Sequence, residues 1–180
     1  MKLNHEHAEV LDKIINDLGK IKKVETLYRA SEYNFCAAAF HEKCDNKEHT
    51  LVLIRTEFGK TIGGYTHYPW ESESEWLSDS GRRAFIFSLD MKEKFVPQGD
   101  EKLIGRYGSF GPTFGANSDL YISDGCNFND ISRADFLKTY NRDGGKKLVS
   151  NQNNYRKFSG GNTSRFKVLE YEVFQVFFKW

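Results

Sequence analysis

Leu51-Val52-Leu53-Ile54-Arg55-Thr56-Glu57-Phe58-Gly59-Lys60-Thr61-Ile62-Gly63-Gly64-Tyr65 is the stretch that decides the fold. Leu51 to Thr56 and Thr61 to Tyr65 have the β-branched and apolar make-up of strands. The connecting residues Glu57-Phe58-Gly59-Lys60 include the glycine that a tight turn needs. The two runs therefore predict an antiparallel hairpin. Leu51 and Leu53 alternate with Val52 and Ile54, so both faces of the first strand are apolar. Such a strand belongs inside a sandwich or under a helix, not on a wet surface.

Beyond the hairpin, Pro69-Trp70 stops the second strand, and the Ser- and Glu-rich segment Glu71 to Arg83 reads as a loop. Ala84 to Leu89 predicts a strand with Phe85 and Phe87 on one face and Ile86 and Ser88 on the other. Another strand is expected over Lys94 to Val96, turning through Pro97-Gln98-Gly99-Asp100 and returning over Lys102 to Ile104. Gly105 to Ser118 is the most glycine-rich segment, and Asp119 to Ser123 reads as the strand after it. Asn127 to Asn154 is polar and irregular, with a short helix expected around Ala134 to Tyr140. Ser159-Gly160-Gly161-Asn162 marks a loop. Phe166 to Val176 closes the fold as a long strand. Strict alternation would place Val168, Glu170, Glu172, Phe174 and Val176 on one face and Lys167, Leu169, Tyr171, Val173 and Gln175 on the other.

Before the hairpin, Asn4 to Leu18 reads as an amphipathic helix. Leu11, Ile14, Ile15 and Leu18 recur at helical spacing, Asn4 can cap the start and Gly19 can end it. Such a helix either packs on its own domain or docks on a partner. Lys20, Lys22 and Lys23 read as a solvated linker. Leu27 to Ala30 reads as a short extended or turn segment. Asn34 to Cys44 predicts a second helix with Asn34 as its cap, burying Phe35, Ala38, Ala39 and Phe40, and Asp45-Asn46 suits its end. The count is about seven strands joined by short turns, with two helices before them. No βαβ alternation occurs, so a doubly wound parallel sheet is excluded. The expected class is α+β, mainly β: two antiparallel β-sheets packed as a sandwich with flanking helices.

The chain has 180 residues, the size of one domain with a full core, and 15 Phe with nine Tyr favour a β-rich one. A formal net charge of +1 argues against a broad phosphate-collecting face, so no nucleic-acid partner is expected. Cys36, Cys44 and Cys126 are too few and odd in number for a disulfide framework, which points to free thiols in a reducing compartment. Met1 opens a polar, charged stretch with no signal-peptide character, and no apolar run reaches the length of a membrane span. A cytoplasmic location follows as the expectation. The sequon Asn162-Thr163-Ser164 then reads as accidental.

Several fragments imitate catalytic signatures. Gly59-Lys60-Thr61 resembles the end of a phosphate-binding loop, but Ile54 stands where the first glycine must be. His41-Glu42 begins like a zinc-protease helix, but Asp45 replaces the second histidine. His41 and Cys44 could share a helix face, yet two ligands do not close a zinc site, and Cys36, Cys126 and His49 join them only by supposition. The simpler reading is a helix carrying an exposed histidine and a part-buried thiol. Gly108-Ser109-Phe110-Gly111 lacks dinucleotide-loop spacing. Ser164 and Lys167 match a serine acylase fragment without its companions. Glu170 and Glu172 lie at strand spacing on one face, and a structural role for Glu172, accepting hydrogen bonds, is the expectation over glycoside chemistry. No nucleophile with its base emerges, so no enzyme, cofactor or metal is expected.

Taken in order, these pieces resemble the TLDc domain family, the domain of oxidation-resistance proteins. Leu27-Tyr28-Arg29-Ala30-Ser31 through Phe35 leads to Ala39-Phe40-His41-Glu42-Lys43-Cys44-Asp45, Thr50-Leu51-Val52-Leu53-Ile54, Phe58-Gly59-Lys60, Gly63-Gly64-Tyr65 and Pro69-Trp70. Phe85-Ile86-Phe87-Ser88-Leu89, Phe110-Gly111-Pro112-Thr113-Phe114-Gly115, Asp119-Leu120-Tyr121-Ile122 and the closing Phe166, Val168, Glu172, Val173, Phe174 follow. The resemblance runs from about Val24 to the end. It divides the chain into residues 1–23, helix and basic linker, and residues 24–180, a single TLDc domain. It resembles protist and plant versions more than animal ones. Family members often carry Gly-Pro where this chain has Glu48-His49, so the helix-to-strand turn is expected to differ. No C-terminal helix of the kind some relatives use to clamp a partner is expected after Phe177-Phe178-Lys179-Trp180.

What the resemblance implies is a two-sheet sandwich, protection against oxidative stress, and binding to the vacuolar proton-pumping ATPase through its soluble sector. It supplies no catalytic residues. The expected role is a non-catalytic protein-interaction module that modulates a multi-subunit complex. A structural subunit of a larger assembly, for example cytoskeletal, and a thiol-dependent antioxidant protein stand as alternatives. Recruitment to organelle membranes or the cytoskeleton would run through such partners. The candidate contact surface is the glycine loop Gly108, Ser109, Phe110, Gly111, Pro112, Thr113, Phe114 and Gly115, since contacts favour loops on rigid scaffolds. The other reading of this loop is that its aromatics plug one end of the sandwich.

Overall fold

Asn4 starts the first helix, its Oδ1 accepting the His7 N–H at 2.7 Å. The helix α1 runs His5–Ile15 and buries Val10, Ile14 and Ile15. A 3-10 turn over Asn16–Leu18 follows, and Gly19 at φ +122° ends it in a conformation that favours glycine. The computed structural model describes residues 1–78, 80–81, 83–100, 102–116, 118–142, 144 and 146–179. The basic run expected as a linker departs from expectation. Lys22 and Lys23 lie within β1 (Ile21–Arg29), which pairs antiparallel with the end of the chain, Ile21 opposite Phe178. β1 is an edge of its sheet, a position where exposed lysines discourage further strand pairing.

The second helix, α2 (Ala37–Cys44), starts later than expected. Asn34 sits at φ +52° and closes a 3-10 turn over Ala30–Tyr33. The cap comes instead from far along the chain, where Asp124 Oδ1 accepts the Ala37 N–H at 2.7 Å. The predicted hairpin forms as β2 (Thr50–Thr56) and β3 (Thr61–Thr66), with Leu51 opposite Tyr65 and Ile54 opposite Ile62. Next come β4 (Glu75–Leu77), β5 (Ala84–Ser88), β6 (Glu93–Pro97), β7 (Ile104–Arg106), β8 (Thr113–Phe114) and β9 (Leu120–Tyr121). The chain finishes with β10 (Ser132–Arg133), β11 (Tyr140–Arg142), α3 (Gln152–Phe158), β12 (Arg165–Phe166) and β13 (Val168–Phe178).

Two antiparallel sheets result, as the sequence predicts. One has seven strands in the order β1-β13-β2-β3-β5-β6-β11, and the other six in the order β12-β10-β9-β8-β7-β4. Val52, Ile54, Ile62 and Ile86 from the first sheet meet Ile104, Phe114 and Leu120 from the second in the main core. On the outer face of the first sheet, Leu51, Leu53, Tyr65, Phe85 and Phe87 pack with Val10, Ile14 and Ile15 of α1. β2 is apolar on both faces because one faces the second sheet and the other faces α1.

Other local expectations are corrected. Leu103 and Ile104 do not return beside β6. β6 pairs with β11 instead, while β7 joins the other sheet between β4 and β8. β4 lies in the segment read as loop, and its Glu75 and the preceding Glu71 are held by ion pairs to Arg106, a signal apolar periodicity does not carry. No helix forms over Ala134 to Tyr140. The Asp119 carboxylate accepts the backbone N–H groups of Lys138, Thr139 and Tyr140, donors a helix would need for itself. The alternation of β13 breaks at Leu169. A register shift between Val168 and Glu170 leaves Leu169 58% exposed and puts Val168, Tyr171 and Val173 together in the inter-sheet core.

Candidate functional site

The glycine loop joins β7 to β8 and enters the sandwich more than it leaves it. Gly111, Pro112, Thr113, Phe114 and Gly115 are buried, Gly108 and Phe110 half-buried, and Ser109 exposed. Phe114 packs edge-on against Trp70 with ring centroids 5.6 Å apart. A Cβ at Gly64 would come within 2.6 Å of the Phe114 ring, so the glycine makes room for the aromatic. Phe110 stands edge-on to Tyr121 at 5.1 Å. Gly115 has φ +78°, and a Cβ there would meet Asp119 Oδ2 at 2.3 Å. The loop is tied to the residue that follows β9 by the Gly111 N–H donating to Ile122 O at 2.9 Å. The surface it offers is Ser109 with the edges of Gly108 and Phe110.

His41 is the residue the sequence reading placed at the surface; it is 6% exposed. Its Nε2 lies 3.0 Å from the Tyr107 carbonyl oxygen and 2.9 Å from that of Phe110. Its Nδ1 lies 2.7 Å from Asp45 Oδ1, and Asp45 Oδ2 in turn accepts from Ser72 Oγ at 2.8 Å. Both ring nitrogens face acceptors, which is the setting of a hydrogen-bond donor and not of a metal ligand. The helix α2 thus uses its histidine to hold the entrance of the glycine loop.

The three thiols are free, with Cys44 and Cys126 buried and Cys36 half-buried. Burial pushes the Cys126 thiol up to about 12 and raises that of Cys44 further. Thiolate is the nucleophilic form, so these two sites disfavour thiol chemistry at neutral pH. The carboxylates Glu170 and Glu172 do not face each other across a cleft. Glu172, 1% exposed, accepts from Arg29 Nε at 2.5 Å and from the amino group of Met1. Glu170 accepts the Ser31 N–H at 3.1 Å and the Ser31 hydroxyl. Lys60 of the Gly59-Lys60-Thr61 fragment lies 3.5 Å from Asp90 Oδ1, a carboxylate and not a phosphate setting.

Among the described residues, three ligand-type side chains gather in one place, Glu48, His49 and His67, with one ligand atom from each within 4.8 Å. The β2–β3 register, Thr50 opposite Thr66, sets His49 and His67 side by side, so the pairing was readable from the hairpin. Their rings are 4.2 Å apart, and His49 Nδ1 bonds Tyr65 Oη at 2.8 Å. Arg83 Nη1 lies 3.1 Å from His67 Nε2. The guanidinium can only donate, so it occupies that nitrogen's lone pair and adds positive charge where a cation would sit. Burial, followed by the neighbouring His67, lowers the His49 pKa from its ordinary value. His49 has φ +54°, a backbone angle that proline cannot adopt.

No helix among the described residues is long and apolar enough to cross a membrane. A search of curated proteins returned no match. A family model for the TLDc domain matches residues 2–177, from ahead of α1 to within β13. With the two-sheet sandwich, the buried glycine loop and a match over nearly all of its residues, the chain belongs to the TLDc domain family.

Proposed function

We propose that this TLDc domain is a non-catalytic protein-interaction module that binds and modulates a multi-subunit complex. The partner is the soluble sector of the vacuolar proton-pumping ATPase, and the role extends to oxidative-stress resistance. The observation that carries this reading is the family match over residues 2–177, because binding that pump is what the family resemblance implies. Two features support a binding role over a thiol chemistry. The Cys44 and Cys126 thiols are held in the protonated form by burial. The histidine of α2 is spent on holding a loop. The protein works in the cytoplasm and reaches organelle membranes through its partner.

The contact is made at the exposed tip of the glycine loop, centred on Ser109, with Gly108 and Phe110 beside it. The test is native isolation of the tagged protein from its own cells at mild salt, alongside a Ser109→Glu variant. Pump subunits are expected with the parent protein and strongly reduced with the variant, at unchanged melting temperature. Recovery of a different complex in fixed, salt-resistant stoichiometry would replace this reading with that of a structural subunit, cytoskeletal or otherwise.

A further inference from the structure

β1 ends the seven-stranded sheet, so one of its long edges has no strand beside it. The pairing with β13 decides which backbone groups face that open edge. Val24 lies opposite Val176, and the Val176 N–H donates to His49 O at 2.8 Å, on the side away from β1. In a strand the N–H and C=O of one residue point the same way. Val24 and Val176 therefore share no hydrogen bonds, and the Val24 N–H and C=O point outward. The register is unbroken from Val24 to Thr26, so the N–H and C=O of Thr26 point outward as well. Among the described residues, no loop or side chain bonds these groups. Lys22, Lys23, Val24 and Thr26 are exposed, Val24 by 50%.

An open strand edge accepts another extended chain by main-chain pairing, and side chains select which one. The sequence of β1 is complementary to itself. In antiparallel pairing about a two-fold axis through Val24, the Val24 residues of the two copies meet and exchange both hydrogen bonds. Thr26 falls opposite Lys22 of the other copy. Lys23 of each copy stands opposite Glu25 of the other. These are pairs without mutual hydrogen bonds, where cross-strand side chains come closest. Lys23 and Glu25 already form an ion pair along the strand. The two copies complete a square in which every charge has unlike neighbours.

Other registers are penalised. Slipped either way to the next register that keeps outward groups facing each other, the pairing sets Lys23 against Lys23 or Glu25 against Glu25. The lysines that discourage indiscriminate pairing thus leave one register favourable. That register also brings the exposed Val24 side chains together and extends the apolar row that begins at buried Val176.

We propose that β1 is a self-association edge. Two copies of this chain pair antiparallel through β1 across a two-fold axis and join their seven-stranded sheets. A closed two-fold contact uses the same patch on both copies. A contact of one strand is small, so the dimer is weak and reversible, with a dissociation constant of about 10–100 μM. β1 belongs to the first sheet and the glycine loop to the second, so this proposal stands or falls apart from the partner reading above.

The test is sedimentation velocity of the full chain from about 1 to 500 μM. A reversible monomer–dimer equilibrium is expected. Val24→Pro removes the N–H that the dimer uses and none that bonds β13, and should weaken dimerisation about tenfold or more. Lys23→Glu and Glu25→Lys should each weaken it by a similar factor, since each sets two like-charge pairs across the axis. An equimolar mixture of these two charge variants should dimerise again, because two lysines of one chain then face two glutamates of the other. Circular dichroism and melting establish that each variant is folded; if Val24→Pro is not, the charge variants carry the test. A monomer at every concentration would overturn the proposal. So would a dimer that the folded variants leave unchanged, or charge variants that do not restore one another.

Discussion

The Nε2 of His41, on α2, lies 2.9 Å from the carbonyl oxygen of Phe110, in the glycine loop of the opposite sheet. That contact and its companion to Tyr107 join a buried helix to the segment whose tip is the proposed contact surface. Replacing His41 by Phe keeps a ring of similar size and leaves two carbonyls and the Asp45 carboxylate without their donor. A loss of about 1–3 kcal/mol is expected, the cost of orphaned buried acceptors. Urea unfolding checks the magnitude. Hydrogen exchange checks the location, with faster exchange expected at Gly111 and Ile122, whose backbones pair across the loop.

Gly63 and Gly64 lie side by side in β3 and make room for different neighbours. A Cβ at Gly63 would stand 2.0 Å from the backbone oxygen of Val52 and 2.6 Å from the Phe87 ring. At Gly64 the three nearest atoms it would meet all belong to the Phe114 ring. Gly63→Ala should therefore destabilise by about 3 kcal/mol or more and Gly64→Ala by about 1–2 kcal/mol, since a ring yields more readily than backbone. The order of the two midpoints in denaturant is the decisive comparison.

The helix α1 covers an apolar sheet face. Ile14 is 7% exposed and packs in the cluster with Leu53, Phe85 and Phe87. Ile14→Ala should lower stability by about 2–4 kcal/mol. Lys13→Ala, one residue away on the exposed side, should change it by less than about 0.5 kcal/mol. Equal small effects would mean that α1 is not part of the folded unit.

His49 makes stability depend on pH in a stated direction. Burial, then His67, lowers its pKa in the folded protein below the ordinary 6.5, with Glu48 opposing. The unfolded chain therefore takes up the proton first. Stability contributed at neutral pH is lost as pH falls below that ordinary value toward the folded one. His49→Asn suits the positive φ and removes the titration. The fall in melting temperature between about pH 7.5 and about pH 5.5 should be smaller in this variant than in the parent.

The hairpin, the closing strand and the sandwich class were legible because alternation and apolar runs report burial directly. What was not legible depends on side chains from distant segments. Asp124 caps α2 in place of Asn34, and Asp119 diverts the N–H groups of Lys138 to Tyr140 from a helix to a carboxylate. The bulge at Leu169 inverts an alternation that the residues alone make regular. The glycine loop was found from composition, but its burial was not, because glycines and aromatics serve equally in a plug and at a contact. His41 was misplaced for the same reason: nothing local tells a helical histidine that its acceptors are the carbonyls of Tyr107 and Phe110.

Native affinity isolation from the protein's own cells, with mass spectrometry of what accompanies it, tests the proposed binding role most directly. The account predicts subunits of the vacuolar pump's soluble sector, recovered at mild salt and diminished by Ser109→Glu. Recovery of the folded protein alone, or of an unrelated assembly in fixed stoichiometry, would contradict it.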